Sequence, residues 1–240
     1  MERFNLVREW LKKKEIDFWR KKRNSVTPSI LQFDYLHMRS LAEAIRKVLD
    51  KLPKNKKYQI LDVGCGEKPY QSLFSPFTKQ YIGVDIDRKV ADIVAPAEKL
   101  PFKESIFDLV VCFQTLEHCQ NPEKVIGEMK RVLKPKGYMV LSTHGIWMHH
   151  PSPNDYYRWT HEGLRELFKT FSTIEVEATL SNWSSLLQLL NVELYSLACR
   201  RWYLKLPLYG IIMLSNFLGK ILMPYGNKNL TINYLVLARK

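Results

Sequence analysis

The sequence predicts an α/β fold, a doubly wound and mostly parallel sheet with helices on both faces, and three observations carry that expectation. An apolar run ends in a glycine turn, Ile60-Leu61-Asp62-Val63-Gly64-Cys65-Gly66. A second apolar run, Tyr81-Ile82-Gly83-Val84-Asp85, ends in a carboxylate nineteen residues after Gly66. From Tyr58 to Val176 short β-rich runs alternate with helical ones, which calls for crossover connections and therefore parallel pairing.

With 240 residues and 46% hydrophobic content, the chain is sized for one α/β core with appendages. Met1 to Arg23 lacks Gly and Pro; Phe4, Val7, Leu11 and Phe18 fall near one helical face beside Trp10, with Lys and Arg on the other. This spacing predicts a basic amphipathic helix, suited to packing on its own domain or to lying in a lipid interface. Arg3, Arg8, Glu9 and Lys12 to Lys14 interrupt any signal-peptide core. A linker with Thr27-Pro28 leads to a second helix, Leu31 to Lys51, stopped before Pro53. Thr160 is placed to cap a helix running to Lys169, ahead of a strand near Ser172 to Ala178.

Asn182 to Lys228 is additional to a minimal sheet fold. Leu206 to Gly219 carries no charge over fourteen residues, too short for a bilayer and suited to a buried or interfacial helix. On a helical wheel Ile211, Leu214, Phe217, Leu218, Ile221 and Leu222 share one arc, opposite Ser215, Asn216 and Lys220. A lid, a subunit interface and a membrane contact all fit that pattern. The resulting division is a basic helical extension at 1–57, a core at 58–180, an apolar helical insertion at 181–228 and a last core strand at 229–240.

Charge follows this division. Residues 1–57 hold 16 Lys/Arg against 7 Asp/Glu, residues 58–180 hold 14 against 16, and residues 181–240 hold 7 against 1. A near-neutral core between basic flanks points to docking on an anionic surface, a membrane or a nucleic acid, or to solubilising charge alone. The four cysteines, Cys65, Cys112, Cys119 and Cys199, show no C-x-x-C pair and no metal spacing, as expected of reduced cytosolic thiols.

The glycine turn and the following carboxylate suit a nucleoside. Gly64 and Gly66 permit positive φ and a close approach to backbone, and Asp85 can accept two hydrogen bonds from a ribose diol. The third glycine of a dinucleotide fingerprint would fall at Pro69, which disfavours a pyrophosphate and with it a nicotinamide oxidoreductase. Asp62, by contrast, is suited to a cationic ligand.

In these residues the chain resembles the class I S-adenosylmethionine-dependent methyltransferases, whose first motif is an acidic residue followed by G-x-G. The resemblance runs from about Tyr58 to Thr143. Ala91 to Phe102 looks like the family's third strand and adenine turn, and Phe107 to His118 like its fourth strand and methyl-transfer edge. Val125 to Leu133, with Lys134-Pro135-Lys136-Gly137 and Tyr138 to Ser142, looks like its next helix, turn and fifth strand. Leu230 to Ala238 looks like its last, antiparallel strand. The resemblance implies a Rossmann-like sheet of seven strands and S-adenosylmethionine as cofactor. It implies contacts from Asp62, Gly64, Cys65, Gly66, Asp85, Ile86, Ala97, Glu98, Phe113, Gln114 and His118. Two positions depart from it: Lys68 and Pro96 stand where the family often has glycine and aspartate.

Methyl transfer from a sulfonium is an in-line displacement, assisted by a base when the acceptor is a hydroxyl. His144, His149 and His150 are the candidate bases, with Asp155 to orient one of them. Tyr156, Tyr157, Arg158 and Trp159 are candidate walls of an acceptor pocket. No metal is expected, because His149 and His150 are adjacent and no ligand spacing links them to Asp155. Asp155 to Thr160 resembles bacterial methyltransferase-domain proteins of surface polysaccharide synthesis, which implies O-methylation of a sugar or lipid-linked glycan. An RNA methyltransferase using the basic flanks and a non-catalytic cofactor-binding scaffold are the alternatives; Phe113-Gln114-Thr115-Leu116 replaces the Asn/Asp-Pro-Pro-Tyr motif typical of base methylation. The expected location is cytoplasmic, with a small-molecule acceptor, a membrane surface and a second copy of the chain as candidate partners.

Overall fold

The computed structural model describes residues 26–151 and 153–240. The amphipathic helix expected at Met1 to Arg23 lies outside them. The strands are β1 (Tyr58–Val63), β2 (Thr78–Asp85), β3 (Ile93–Val94), β4 (Phe107–Phe113), β5 (Leu133–His144), β6 (Thr173–Ala178) and β7 (Asn233–Arg239). They form one sheet in the order β3-β2-β1-β4-β5-β7-β6. Pairing is parallel from β3 to β5, and β7 runs antiparallel to both its neighbours. This is the expected Rossmann-like sheet with its last strand reversed.

Period-2 alternation sends each central strand's side chains to two cores. Leu61, Val63, Val110, Cys112, Met139 and Leu141 pack on one face with Val125, Ile126 and Met129 of helix α3 (Pro122–Val132) and Leu164 of α4 (His161–Leu167). Tyr58, Ile60, Leu109, Val111 and Val140 pack on the other with Leu41, Ile45, Val48 and Leu49 of α1 (Tyr35–Lys51). Both faces of the central strands are buried, which is why those strands read as continuous apolar runs.

The chain leaves β1 for β2 on one side and reaches β4 on the other. The loops after β1 and β4 therefore diverge and leave a crevice at the carboxyl edge of the sheet. Local details depart from expectation. Gln71–Phe74 forms only a single helical turn, α2, continued by a 3-10 turn at Ser75–Phe77 with Pro76 near its start. The glycine loop thus opens onto no long helix, and backbone geometry rather than a helix dipole shapes the crevice. The second helix begins at Tyr35 rather than Leu31, after a turn in which Ser29 N–H donates to Gln32 Oε1 at 2.6 Å. The turn expected at Lys134 to Gly137 is absorbed into β5 as an irregularity, with Lys136 at φ 63°. Thr160 caps α4 as expected, its Oγ1 accepting Gly163 N–H at 3.0 Å.

The insertion forms a hairpin of α5 (Asn182–Arg200) and α6 (Lys205–Leu222) against α1. Its inner seam is polar. Asn191 donates to Asn216 Oδ1 at 2.8 Å, and Asn216 Nδ2 donates to the Ile30 and Gln32 carbonyls, both at 2.8 Å. Ser184 donates to the Gly219 carbonyl at 2.9 Å, and Gln188 accepts His37 N–H while donating to the Phe33 carbonyl. A Cβ on Gly219 would stand 2.4 Å from Leu36, so the glycine sets how closely α6 approaches α1. Replacing Asn216 by Leu strands two buried carbonyls and the Asn191 amide. The substitution is expected to cost about 3 kcal/mol in a denaturant titration, and an unchanged midpoint would contradict the seam's role.

Candidate active site

The crevice holds a cavity of about 1000 Å³. Its floor is the turn after β1, where Gly64 and Gly66 take φ of 69° and 47°. Gly64 N–H and Cys65 N–H both donate to the Val84 carbonyl, at 2.8 and 3.1 Å, and Gly66 N–H donates to Asp85 Oδ2 at 2.9 Å. A Cβ on Gly64 would sit 2.2 Å from Thr115, whereas one on Gly66 would meet nothing within 4 Å. Gly64 therefore answers to packing, and Gly66 leaves room above the backbone. Asp85 Oδ1 accepts Asp87 N–H at 2.9 Å, so backbone amides fix the carboxylate plane.

Asp62 also lines the cavity although it is almost fully buried. Burial pushes its carboxyl up to about 7, opposed by the hydrogen bond from the Tyr81 hydroxyl at 2.6 Å and by Lys68. A buried carboxyl titrating near neutrality gains most from a cationic neighbour. Lys68 sits at φ 54°, the backbone state that glycine adopts freely, and its ammonium lies 2.5 Å from Asp92 Oδ1. Burial pushes the Cys65 and Cys119 thiols up to about 12, so neither is a thiolate at neutral pH.

Of the residues expected around the cofactor, all eleven line this one cavity: Asp62, Gly64, Cys65, Gly66, Asp85, Ile86, Ala97, Glu98, Phe113, Gln114 and His118. Gln114 is at φ 52° and donates to Ser142 Oγ and Asn233 Oδ1 at 2.9 and 2.7 Å, which ties the end of β4 to β5 and β7.

The residues expected to do chemistry are spread more widely. His144 is 3% exposed, stacks on Trp147 with ring centroids 4.8 Å apart, and does not line the cavity. Burial first, then His37 and His150, hold its imidazole well below the usual histidine range. Its Nδ1 faces the Ile232 carbonyl at 3.3 Å and so carries the proton, which leaves Nε2 bare at 3.6 Å from Glu117 Oε1. Burial raises the Glu117 carboxyl, whose Oε2 accepts the Thr143 hydroxyl at 2.9 Å. Glu117 and His144 are thus a buried pair in which burial disfavours the charged form of each. Glu117, His144 and His150 each offer one donor atom within 4.8 Å of the others, a grouping that sequence spacing did not reveal.

Asp155 and Arg158 form a two-pronged pair at 2.6 and 2.7 Å, which holds the Asp155 carboxyl far below the usual carboxylate range. His150 N–H also donates to Asp155, and Arg158 donates to the Trp147 and Met148 carbonyls. Asp155 and Arg158 together pin the loop after β5. His149 remains largely exposed, 3.3 Å from Asp155. Of the acceptor-wall residues, Tyr156 lines the main cavity, whereas Tyr157 and Trp159 line a second cavity of about 750 Å³ with Gln120 and Gly163.

His37 and Met38 of α1, and Pro153 and Asn154 of the loop, complete the main cavity. They have no motif; only the fold brings them there.

A family model described as a methyltransferase domain matches residues 61–141. Over that stretch the chain is similar to the class I S-adenosylmethionine-dependent methyltransferases. Curated relatives include an uncharacterized methyltransferase of Bacillus subtilis, YcgJ, 28% identical over 37% of this chain and 41% of its own length. The sterol 4-C-methyltransferase strm-1 of Caenorhabditis elegans is 28% identical over 42% of this chain and 36% of its own. The chain thus spans less than half the length of these relatives. Among solved structures, phosphoethanolamine N-methyltransferase 2 of Haemonchus contortus with bound S-adenosylmethionine has a TM-score of 0.56, at 20% identity over 84% of this chain and 52% of that one. The [4+2]-cyclase SpnF has a TM-score of 0.55 at 18% identity, over 83% and 81%. These likenesses show the fold, and SpnF shows that the fold alone does not set the reaction.

S-adenosylmethionine is the domain's cofactor, and the cavity suits it. Asp85 presents a carboxylate oriented by backbone amides, Gly66 leaves space above its backbone, and Asp62 is a buried carboxyl that a cation would stabilise. Cofactor affinity is accordingly expected to rise about eightfold between pH of about 6 and about 7.5, as Asp62 ionises, and Asp62→Asn should flatten the profile. Isothermal titration across that range is the check; the same slope in the Asn variant would contradict the assignment.

Proposed function

We propose that the protein transfers a methyl group to an oxygen of a small, sugar-like or lipid-linked acceptor. The observation that carries this reading is the continuity of one cavity from the Asp85 end to a wall of His37, Met38, His118, Asn154 and Tyr156. That wall is aromatic and polar, with room for a planar or ring-shaped molecule beside the cofactor. Bound there, S-adenosylmethionine supplies an electrophilic methyl group on a sulfonium.

His118 is the residue best placed to take the acceptor's proton. Its Nδ1 lies 2.5 Å from the Asn154 carbonyl, which can only accept, so Nδ1 carries the hydrogen and Nε2 is the basic nitrogen. The edge of the His150 ring meets His118 at 4.9 Å, and His144 stands behind His150 at 5.3 Å. In this reading His144, His150 and Asp155 position the base: Asp155 fixes the loop that supplies the Asn154 carbonyl, and His150 buttresses the His118 ring. His149, Tyr157, Arg158 and Trp159 shape the approach to the site.

The basic flanks and the apolar hairpin favour an acceptor that is lipid-linked or met at a membrane surface. No described helix is long and apolar enough to cross a membrane.

The test is incubation of the protein with methyl-labelled cofactor and separate lipid, glycan and RNA fractions. Label is expected in the lipid or glycan fraction, with His118→Gln lowering turnover at saturating cofactor about a hundredfold or more. Label in RNA alone, or tight cofactor binding with no labelled product in any fraction, would overturn the reading in favour of a nucleic-acid enzyme or a scaffold.

A further inference from the structure

The α5–α6 hairpin has an unusually polar inner side. It buries Ser184, Ser185, Gln188 and Asn191 on α5 and Ser215, Asn216 and Gly219 on α6, beside Ala198, Leu208 and Ile212. Its outer surface is apolar. On α5, Trp183, Leu186, Leu190 and Leu197 are each more than 40% exposed and recur at three-, four- and seven-residue steps, so they share one narrow stripe. On α6, Leu206 is 87% exposed, and Met213, Leu214, Phe217, Leu218 and Ile221 lie on the same outward half of the helix. Trp202 and Tyr203, at the elbow between the helices, are 76% and 59% exposed. An apolar patch spanning two helices and their connection is larger than a protein left to water usually carries.

We infer that this face docks on the interface of an anionic lipid bilayer, with α5 and α6 lying in the plane of the head groups. Charge selects that occupant. The hairpin and its elbow carry Arg200, Arg201, Lys205 and Lys220 against the single Glu193, and Arg201 and Lys220 flank the apolar arc. Two copies of the chain meeting through this face would bring like charges together, whereas anionic head groups would neutralise them. The exposed Trp and Tyr suit the boundary between head groups and acyl chains. The polar seam explains how the arrangement stays folded in water: hydrogen bonds from Asn216 and Gln188 hold the hairpin to the turn ahead of α1, on the side away from its outer leucines. Neither described helix can span a bilayer, so the mode is interfacial. The inference stands independently of methyl transfer.

The experiment is vesicle flotation of the full chain with phosphatidylcholine alone and with phosphatidylglycerol mixed in, for the wild type and a Leu214→Glu, Phe217→Glu double variant. Both positions are solvent-facing, so the variant should keep its melting temperature and its affinity for S-adenosylmethionine. The wild type is expected to float with the mixed vesicles and only weakly with phosphatidylcholine, and the variant's partition should fall about a hundredfold or more. Equal flotation of variant and wild type would overturn the inference by placing lipid contact elsewhere. So would a wild type that ignores vesicles but forms a dimer dissociated by the same substitutions, which would assign the face to a second copy.

Discussion

The site depends on a bend of backbone. Immediately after β1, two successive amides, those of Gly64 and Cys65, converge on the Val84 carbonyl of β2. This double contact turns the chain across the carboxyl edge of the sheet and brings Gly66 N–H onto Asp85. The bend requires φ of 69° at Gly64, where Thr115 also fills the space that a Cβ would need. Asp85, Asp62 and the open backbone at Gly66 are consequences of that geometry. A side chain at Gly64 would disturb the β1 turn and the β4 edge together, because one steric constraint couples them.

Burial sorts the ionisable groups around this bend. Asp62, forced inward by the alternation of β1, keeps a hydrogen bond from Tyr81 yet titrates near neutrality. Asp85, one strand away, is gripped by backbone amides. Asp108, at the opposite end of β4, accepts Gln59 N–H and faces Lys56 and Lys134, contacts that join strands and have no part in the cavity. His144 and Glu117 have withdrawn into the interior as a pair, so their chemistry reaches the cavity only through the rings beside it.

The sheet and the turn that floors the cavity were legible in the sequence because their determinants are local. A glycine turn after an apolar run and a carboxylate after the next run have meaning within a βαβ unit, whatever surrounds it. The loop after β5 was less legible. His144, His149, His150, Asp155 and Arg158 are the residue types of an active site, but which of them face ligand depends on how a loop folds back over β4. Arg158 spends its guanidinium on Asp155 and three carbonyls, a choice no spacing reveals. His37 and Met38 come from a helix ahead of the core and reach the cavity only because α1 packs across the sheet. The apolar arc of α6 was visible as a pattern, but the pattern could not say which side faces inward. Asn191, Asn216 and Gln188 decide it, since their buried amides bond one another or nearby carbonyls on the inward side.

The account centres on one nucleoside held at the ends of β1 and β2. A crystal structure of the complex with S-adenosylhomocysteine tests it most directly. The account predicts density with the ribose hydroxyls on Asp85, the amino acid end near Asp62 and Gly64, and the thioether sulfur facing His118. Density elsewhere on the sheet, or a ribose turned away from Asp85, would contradict it.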